Sequence, residues 1–376
     1  LVNNQNKQLK VNVYGGNGNY SISSKNEISI SGIAGFGFKA YDLLNDSYNK
    51  CGVYAIELKI DSLPVFNYKM DAFAFSESRY VNSHIDYETL QRENVFIERA
   101  FILPNDKLSV YGNVVNNGIV NFADKRKHHV ELIVSDIHGN KSVLSFYVNS
   151  VPAVVQENQA KSDENSPVIM PYNRNNKFVT KNIAVNIPSG ALYDTLYFEF
   201  KRSAGNPLMF SDVYQIHNKY TPLHKTYNLS IKPDRIPAGK ESKMLIIQLT
   251  DDINKIPQPS TWNNGYLSAN PGTFGTFCIG IDTIPPLISY NGFSSGANMT
   301  GKTSLKIKIS DELSGIKTYE PVIDGKWALF EYDQKNNLLT YNFDSKRIQK
   351  GIKHNLILKV TDNSDNLSTY KCEFTW

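Results

Sequence analysis

Apolar residues fall on every second position in two widely separated stretches of the chain. After Lys127-His128 the run is Val130, Leu132, Val134 and Asp136, resuming past Asn140 through Ser142, Leu144, Phe146 and Val148. After Lys353-His354 it is Leu356, Leu358, Val360 and Asp362, resuming past Asn366 through Ser368, Tyr370, Cys372 and Phe374, each residue 226 positions beyond its counterpart. A period of two is that of a half-buried strand. In each run an Asp, a Gly or Asp, and an Asn break the alternation, as a turn requires. Both stretches are therefore predicted to be antiparallel hairpins, two copies of one unit. The repeat extends upstream, with Ala40-Tyr41-Asp42 matching Ile309-Ser310-Asp311, Gly52-Val53 matching Gly315-Ile316, and Ile60-Asp61 matching Ile323-Asp324. The loop after the first Asp is longer in the first copy, and loops accept insertions that strands do not.

The same pattern predicts strands in the first 150 residues at 9–14, 28–33, 35–41, 53–60, 64–70, 96–102, 107–111, 118–122, 129–135 and 142–149. A short helix is expected over 83–90, with Ser83 as N-cap and early acids suiting the dipole. Residues 152–172 carry little periodicity, several acids and amides, and Pro near both ends, which is linker composition and suggests hinge freedom. Further strands are expected at 183–187, 195–201, 226–231, 243–249 and 273–281. Pro285-Pro286 marks a second, stiffer boundary, because paired prolines cannot continue a ladder. The predicted fold is all-β: an immunoglobulin-like sandwich with loop insertions over 1–151, a linker over 152–172, a second sandwich over 173–283 and an immunoglobulin-like sandwich over 284–376.

Composition agrees with several packed domains. The chain has 376 residues, 41% of them hydrophobic, with 22 Tyr and 19 Phe. That is enough apolar material for cores and argues against global disorder. A net charge of +4 is small for this length and argues against a nucleic-acid partner, which needs a concentrated basic face. No apolar run is long enough for a membrane span. Cys51, Cys278 and Cys372 have no metal-type spacing, and Cys372 reads as a small core residue. The chain begins at Leu1 without a signal-like segment and enters a strand-like stretch almost at once, so it reads as part of a longer polypeptide.

The search for chemistry begins with the seven histidines, 84, 128, 129, 138, 217, 224 and 354. His128 and His129 are adjacent on a strand and point to opposite faces, so they cannot chelate together. His128 matches His354, so a structural role at a strand entrance explains both. His84-Ile85-Asp86 offers two metal ligands and no third. His217 and His224 flank the six-residue loop Asn218-Lys219-Tyr220-Thr221-Pro222-Leu223, where bonding to the local backbone is the commoner outcome. Asp136, Asp311 and Asp362 sit in turns, where such side chains cap N–H groups. Calcium is the functional alternative, best placed at Asp362-Asn363-Ser364-Asp365-Asn366, although the spacing matches no standard calcium loop. Gly35-Phe36-Gly37 precedes a strand rather than a helix and is no phosphate cradle. Trp262 and Tyr266 suit either a sugar platform or a capped hairpin turn. No nucleophile elbow or dinucleotide fingerprint is present.

As a set, several blocks resemble the C-terminal, non-catalytic region of lysostaphin-type zinc endopeptidases (peptidase family M-twenty-three) of Bacteroidota. They include Gly37-Phe38-Lys39-Ala40-Tyr41-Asp42, Asn49-Lys50-Cys51-Gly52-Val53-Tyr54, Ser78-Arg79-Tyr80-Val81-Asn82-Ser83-His84-Ile85-Asp86-Tyr87 and Pro104-Asn105-Asp106-Lys107-Leu108-Ser109-Val110-Tyr111. The middle region adds Pro188-Ser189-Gly190-Ala191-Leu192-Tyr193-Asp194 and His217-Asn218-Lys219-Tyr220-Thr221-Pro222-Leu223-His224-Lys225, and the last adds Ile323-Asp324-Gly325-Lys326-Trp327 and Tyr332-Asp333. The family's His-x-x-x-Asp and His-x-His zinc blocks do not occur in this sequence. The resemblance therefore implies an exported envelope protein, periplasmic or on the cell surface, with no catalytic residue, no zinc and no cofactor in this chain.

The resulting expectation is an accessory region that positions, targets or regulates a cell-envelope peptidoglycan endopeptidase. Its partner would be the peptidase domain of the same polypeptide or a cell-wall or protein ligand. Two alternatives stand beside it: an independent surface adhesin or glycan-binding array, and a glycosidase with an unrecognised site.

Overall fold

Both hairpins form, in identical register. The computed structural model describes residues 8–22, 25–43, 48–152, 168–251, 255–290 and 295–376. Lys127–Ser135 pairs with Lys141–Ser150, with His128 opposite Val148 and Leu132 opposite Leu144. Lys353–Asp362 pairs with Leu367–Thr375, with His354 opposite Phe374 and Leu358 opposite Tyr370. On the other side each hairpin takes a long strand, Ala55–Ile60 with Ile60 opposite Val130, and Ile316–Ile323 with Ile323 opposite Leu356. Each sheet also adds a short parallel strand at the closing strand, Glu27–Ile30 in the first copy and Ala297–Asn298 in the last. The alternation works because one face is buried in each: Val130, Phe146, Val148, Leu356, Leu358, Val360 and Phe374 are all in the core.

The chain is nearly all β, and its sheets stack as tandem β-sandwiches around separate apolar clusters. The first cluster draws on residues 22–148, the second on 170–279 and the third on 299–376. The middle sandwich opposes two five-stranded sheets, one built on Ile183–Ile187 and Asn228–Ile231, the other on Met244–Leu249 and Gly275–Ile281. Among the described residues, no helix is long and apolar enough to cross a membrane.

Several local expectations are corrected. Val168–Met170, placed in the linker by composition, is a strand against Leu196–Phe198, and Met170 is buried. Three apolar residues between prolines are too few to show a period, so the burial was invisible. The rest of the linker, 153–167, lies outside the described residues. Over 9–14 only Tyr14 is in a strand, because Leu9, Val11 and Val13 alternate without a sheet to cover them. The helix starts later than expected, as Tyr87–Glu93, with Asp86 rather than Ser83 as its cap: the Thr89 N–H donates to Asp86 Oδ1 at 3.2 Å. Ser83 instead lies inside a separate four-residue helix, Val81–His84, and donates to the Tyr80 carbonyl. Over 107–111 no strand forms, because the Asp106 carboxylate takes the Leu108 N–H.

Candidate functional site

The two landmarks shared by the repeat turn out to be one device. In the first copy His128 Nδ1 donates to Asp61 Oδ2 at 2.7 Å, while Asp61 Oδ1 accepts the His129 N–H at 2.8 Å. In the last copy His354 and Asp324 meet at 2.6 Å, and Asp324 Oδ1 accepts the Asn355 N–H at 2.8 Å. Asp61 and Asp324 both adopt left-handed backbone, at φ 51° and 52°, which Asp tolerates better than most residues. The pair therefore staples a tight turn to the strand entrance. His129 points the other way, to Ser145, as the strand geometry requires. His128 differs from its twin in meeting a second carboxylate, Asp124, at 2.9 Å. Burial opposes its charge, yet the bonds to Asp124 and Asp61 prevail and its pKa is raised.

The resemblance-bearing blocks of the first two sandwiches converge on each other. Asn105 is buried and donates through Nδ2 to the carbonyls of Gly190 and Leu192, at 3.1 and 2.8 Å, while its N–H donates to the Tyr193 carbonyl at 2.9 Å. Tyr193 returns a bond to the Arg79 carbonyl, and Arg79 reaches the His224 carbonyl at 3.3 Å. The Tyr80 ring stacks on His224 at 4.1 Å, and the Arg92 guanidinium lies 3.6 Å from the Tyr220 ring centre. Hinge freedom inferred from the linker thus meets a docked interface. His217 and His224 do not act together: His217 lies in the middle core against Thr221 and Phe274, and His224 lies on the interface. His84 and Asp86 also part, Asp86 to its helix cap and His84 Nδ1 to the Tyr111 hydroxyl at 3.2 Å.

Behind this interface the first sandwich buries an unusual set of titratable groups. Tyr111 donates to Asp106 Oδ2 at 2.8 Å, so His84 Nδ1 carries the proton toward Tyr111 and its Nε2 is a bare acceptor with no partner among the described residues. Burial holds His84 down to about 4, a neutral imidazole stacked on Tyr68. Glu98 is buried with Oε2 unpartnered, and burial pushes it up to about 7. Both His84 and Glu98 are buried.

The second junction is acidic. Asp282 closes the last strand of the middle sandwich. Its Oδ2 accepts the Ser314 N–H at 3.0 Å, and its carbonyl accepts Asn366 Nδ2 at 3.1 Å. Lys243 donates to the Ser364 carbonyl at 2.7 Å, and Leu313 packs on the outer face formed by Leu245, Ile247 and Cys278. Asp311 Oδ1 takes the N–H groups of Leu313 and Gly315, and Asp362 Oδ1 those of Ser364 and Asn366, the turn-capping role expected of both. One ligand atom from each of Asp282, Asp311 and Asp362 lies within 4.8 Å of the other two. Burial, and then the charges of Asp282 and Asp362, push Asp311 up against the pull of its backbone bonds. Turn chemistry in the sequence marks two of the three carboxylates; Asp282 stands just before the Pro285-Pro286 boundary, and nothing in its own segment signals a partner.

The remaining candidates resolve as structure. Trp262 donates to the Glu241 carbonyl at 2.9 Å and Tyr266 to Lys181 at 3.2 Å, across a hairpin turned by Asn264 and Gly265 at φ 49° and 80°. A hollow of about 430 Å³ lies between Thr300, Lys302, Phe343, Lys350 and Trp376. Phe343 stacks on the Trp376 ring and the Lys350 ammonium sits over it, and the indole is buried. A second hollow runs along Gly205–Pro207, Asp212 and Arg235. The three cysteines are free, with Cys372 in the core as expected.

With the fold in view, comparisons add little beyond it. Residues 167–282, the middle sandwich, match the Zu5-like domain family. Curated proteins give no match. Among solved structures, the chain is similar to the Bacteroides ovatus mixed-linkage glucan utilization locus protein SGBP-B, determined with a heptasaccharide, at 11% identity and a TM-score of 0.16, covering 91% of this chain and 63% of that one. It is also similar to the protocadherin gamma B4 extracellular domain, at 10% identity and a TM-score of 0.19, covering 100% of this chain and 50% of that one. A 1.5-MDa bacterial ice-binding adhesin matches at 8% identity and a TM-score of 0.17, covering 99% and 98%. The chain thus spans less than two thirds of the first two structures, and at such TM-scores the likeness says nothing about what it does.

Proposed function

We propose that this chain is a non-catalytic binding and positioning array, the accessory β-sandwich region of a cell-envelope peptidoglycan endopeptidase that is exported to the periplasm or cell surface. One observation carries the reading. Side chains from the blocks that carry the resemblance, Arg79, Tyr80, Asn105, Tyr193 and His224, are spent on holding one sandwich against the next. Buried amide-to-carbonyl bonds of this kind fix distance and orientation, which is what an accessory region contributes to an enzyme beside it. The partner is then a peptidase domain of the same polypeptide.

The test is the intact mass and N-terminal sequence of the native polypeptide from its source cells. A longer product carrying His-x-x-x-Asp and His-x-His blocks supports the reading. A native product that begins near Leu1 after signal removal overturns it and leaves an independent adhesin or glycan-binding array.

A further inference from the structure

We propose that Asp282, Asp311 and Asp362, with the Ser314 hydroxyl, form a calcium site that locks the last sandwich to the middle one. The proposal holds whether or not a peptidase lies in the same polypeptide. The three carboxylates come from three separate places: the end of strand Gly275–Ile281, the turn after Ser304–Ser310, and the end of Lys353–Asp362. Asp362 is 0% and Asp282 3% exposed, so two of the three acids are withdrawn from water. Bringing like charges together out of water is expensive unless something neutralises them. The nearby ammonium groups are engaged elsewhere, Lys243 on the Ser364 carbonyl and Lys317 on Asp365.

The second observation is independent of the acids. Ser314 is nine-tenths buried, and its hydroxyl has no partner among the described residues. Its N–H bond to Asp282 Oδ2 sets the residue against the cluster, and its hydroxyl oxygen is itself shut off from solvent. A bare oxygen donor beside three carboxylates is a ligand set without nitrogen or sulfur, which suits a hard cation. Ligands on opposite sides of calcium stand about 4.8 Å apart, twice a metal–oxygen distance of about 2.4 Å, and the three carboxylates fit within that span. Magnesium demands a stricter octahedron, whereas calcium accepts irregular sets completed by water from the half-exposed Asp311 side.

The experiment is calorimetric titration of the whole, chelator-treated chain with calcium chloride, paired with thermal unfolding in millimolar calcium or chelator. The expected result is one site with a Kd of about 10⁻⁴ to 10⁻³ M, the range of extracellular modules, and a calcium-dependent rise in the unfolding temperature. Asp311→Asn, isosteric and half-exposed, should weaken binding about tenfold or more, since it removes one of three charged ligands. Asp136→Asn, in the twin turn, which gathers no such group of acids among the described residues, should leave it unchanged. No heat and no calcium-dependent shift in the unaltered chain would overturn the proposal, and Asp311→Asn raising the unfolding temperature without metal would then point to a proton as what neutralises the cluster.

Discussion

The turn at Asp136 and the turn at Asp362 are the same piece of chemistry in two settings. Asp136 Oδ1 accepts the N–H groups of His138 and Asn140, both at 2.9 Å, and Oδ2 accepts Asn140 Nδ2 at 2.6 Å. Asp362 makes the corresponding bonds to Ser364, Asn366 and Asn366 Nδ2 at 2.9, 2.7 and 2.7 Å. Yet Ile137 through Asn140 are exposed, while Asp362, Ser364 and Asn366 are buried. The difference is what is laid against the turn: among the described residues nothing comparable in the first sandwich, and Asp282 with the end of the middle sandwich in the last. The local code writes the turn, and the neighbour decides whether it becomes a junction. The first sandwich docks by another route, through its insertion around Arg79 and Asn105.

The sharpest way to break this comparison is to remove each twin aspartate. Asp362→Ala strands buried N–H groups and should cost about 3 kcal/mol, since an unsatisfied buried donor costs about 1–3 kcal/mol. Asp136→Ala leaves the same groups to water and should cost about 1 kcal/mol or less. Urea unfolding of the whole chain measures both, and equal losses would mean that burial at the junction contributes nothing.

The other docking route predicts a smaller loss. Asn105→Ala leaves the Gly190 and Leu192 carbonyls without their donor and should cost about 2 kcal/mol. Limited proteolysis within 153–167 should also accelerate if these bonds hold the two sandwiches together; an unchanged rate would return the linker to the hinge that composition suggested. Within the same insertion, Glu98→Gln should stabilise the protein. Its folded pKa of about 7 lies above the ordinary 4.5, so the native state holds the proton longer than the unfolded chain and stability falls as pH rises between those values. The gain from Gln should be absent at pH 4.5 and reach about 1 kcal/mol at pH 8, because only there is a buried charge being removed. A gain that is flat with pH would show that Glu98 is not buried as an acid.

How much of this was written in the sequence follows from the range of each signal. The twin hairpins were legible because alternation over ten residues is local and redundant, and even the register carried over from one copy to the other. Asp61 with His128, and Asp324 with His354, were visible as landmarks, but their bond was not, since the partners come from different strands. Val168–Met170 was missed because three residues cannot display a period. The acidic junction was half legible: turn chemistry identified Asp311 and Asp362, while Asp282 joins them only through the packing of one sandwich on another, which no local pattern encodes. Asn105 likewise looks like any turn asparagine until Gly190 and Leu192 arrive.

The finest test of the two outer sandwiches lies in their twin histidines. His128 is held between Asp61 and Asp124, with Arg126 paired to Asp124 and the Phe122 ring edge-on to the imidazole. His354 has one carboxylate, Asp324, and on its other nitrogen the Gln349 carbonyl. A His whose folded pKa is raised above 6.5 stabilises fully below that value, and the contribution is lost as pH rises through the folded value. His128→Gln should therefore flatten the decline in stability above pH 6.5, and Asp124→Asn should reduce it in part by leaving His128 with one carboxylate, as in its twin. Solvent screens both partners, so the slope is shallow. If neither substitution alters it over pH 6 to about 8.5, a window in which Glu98 titrates alike in all the variants, then the second carboxylate adds no charge interaction, and the first copy's extra Asp only completes the hydrogen bonding of the ring.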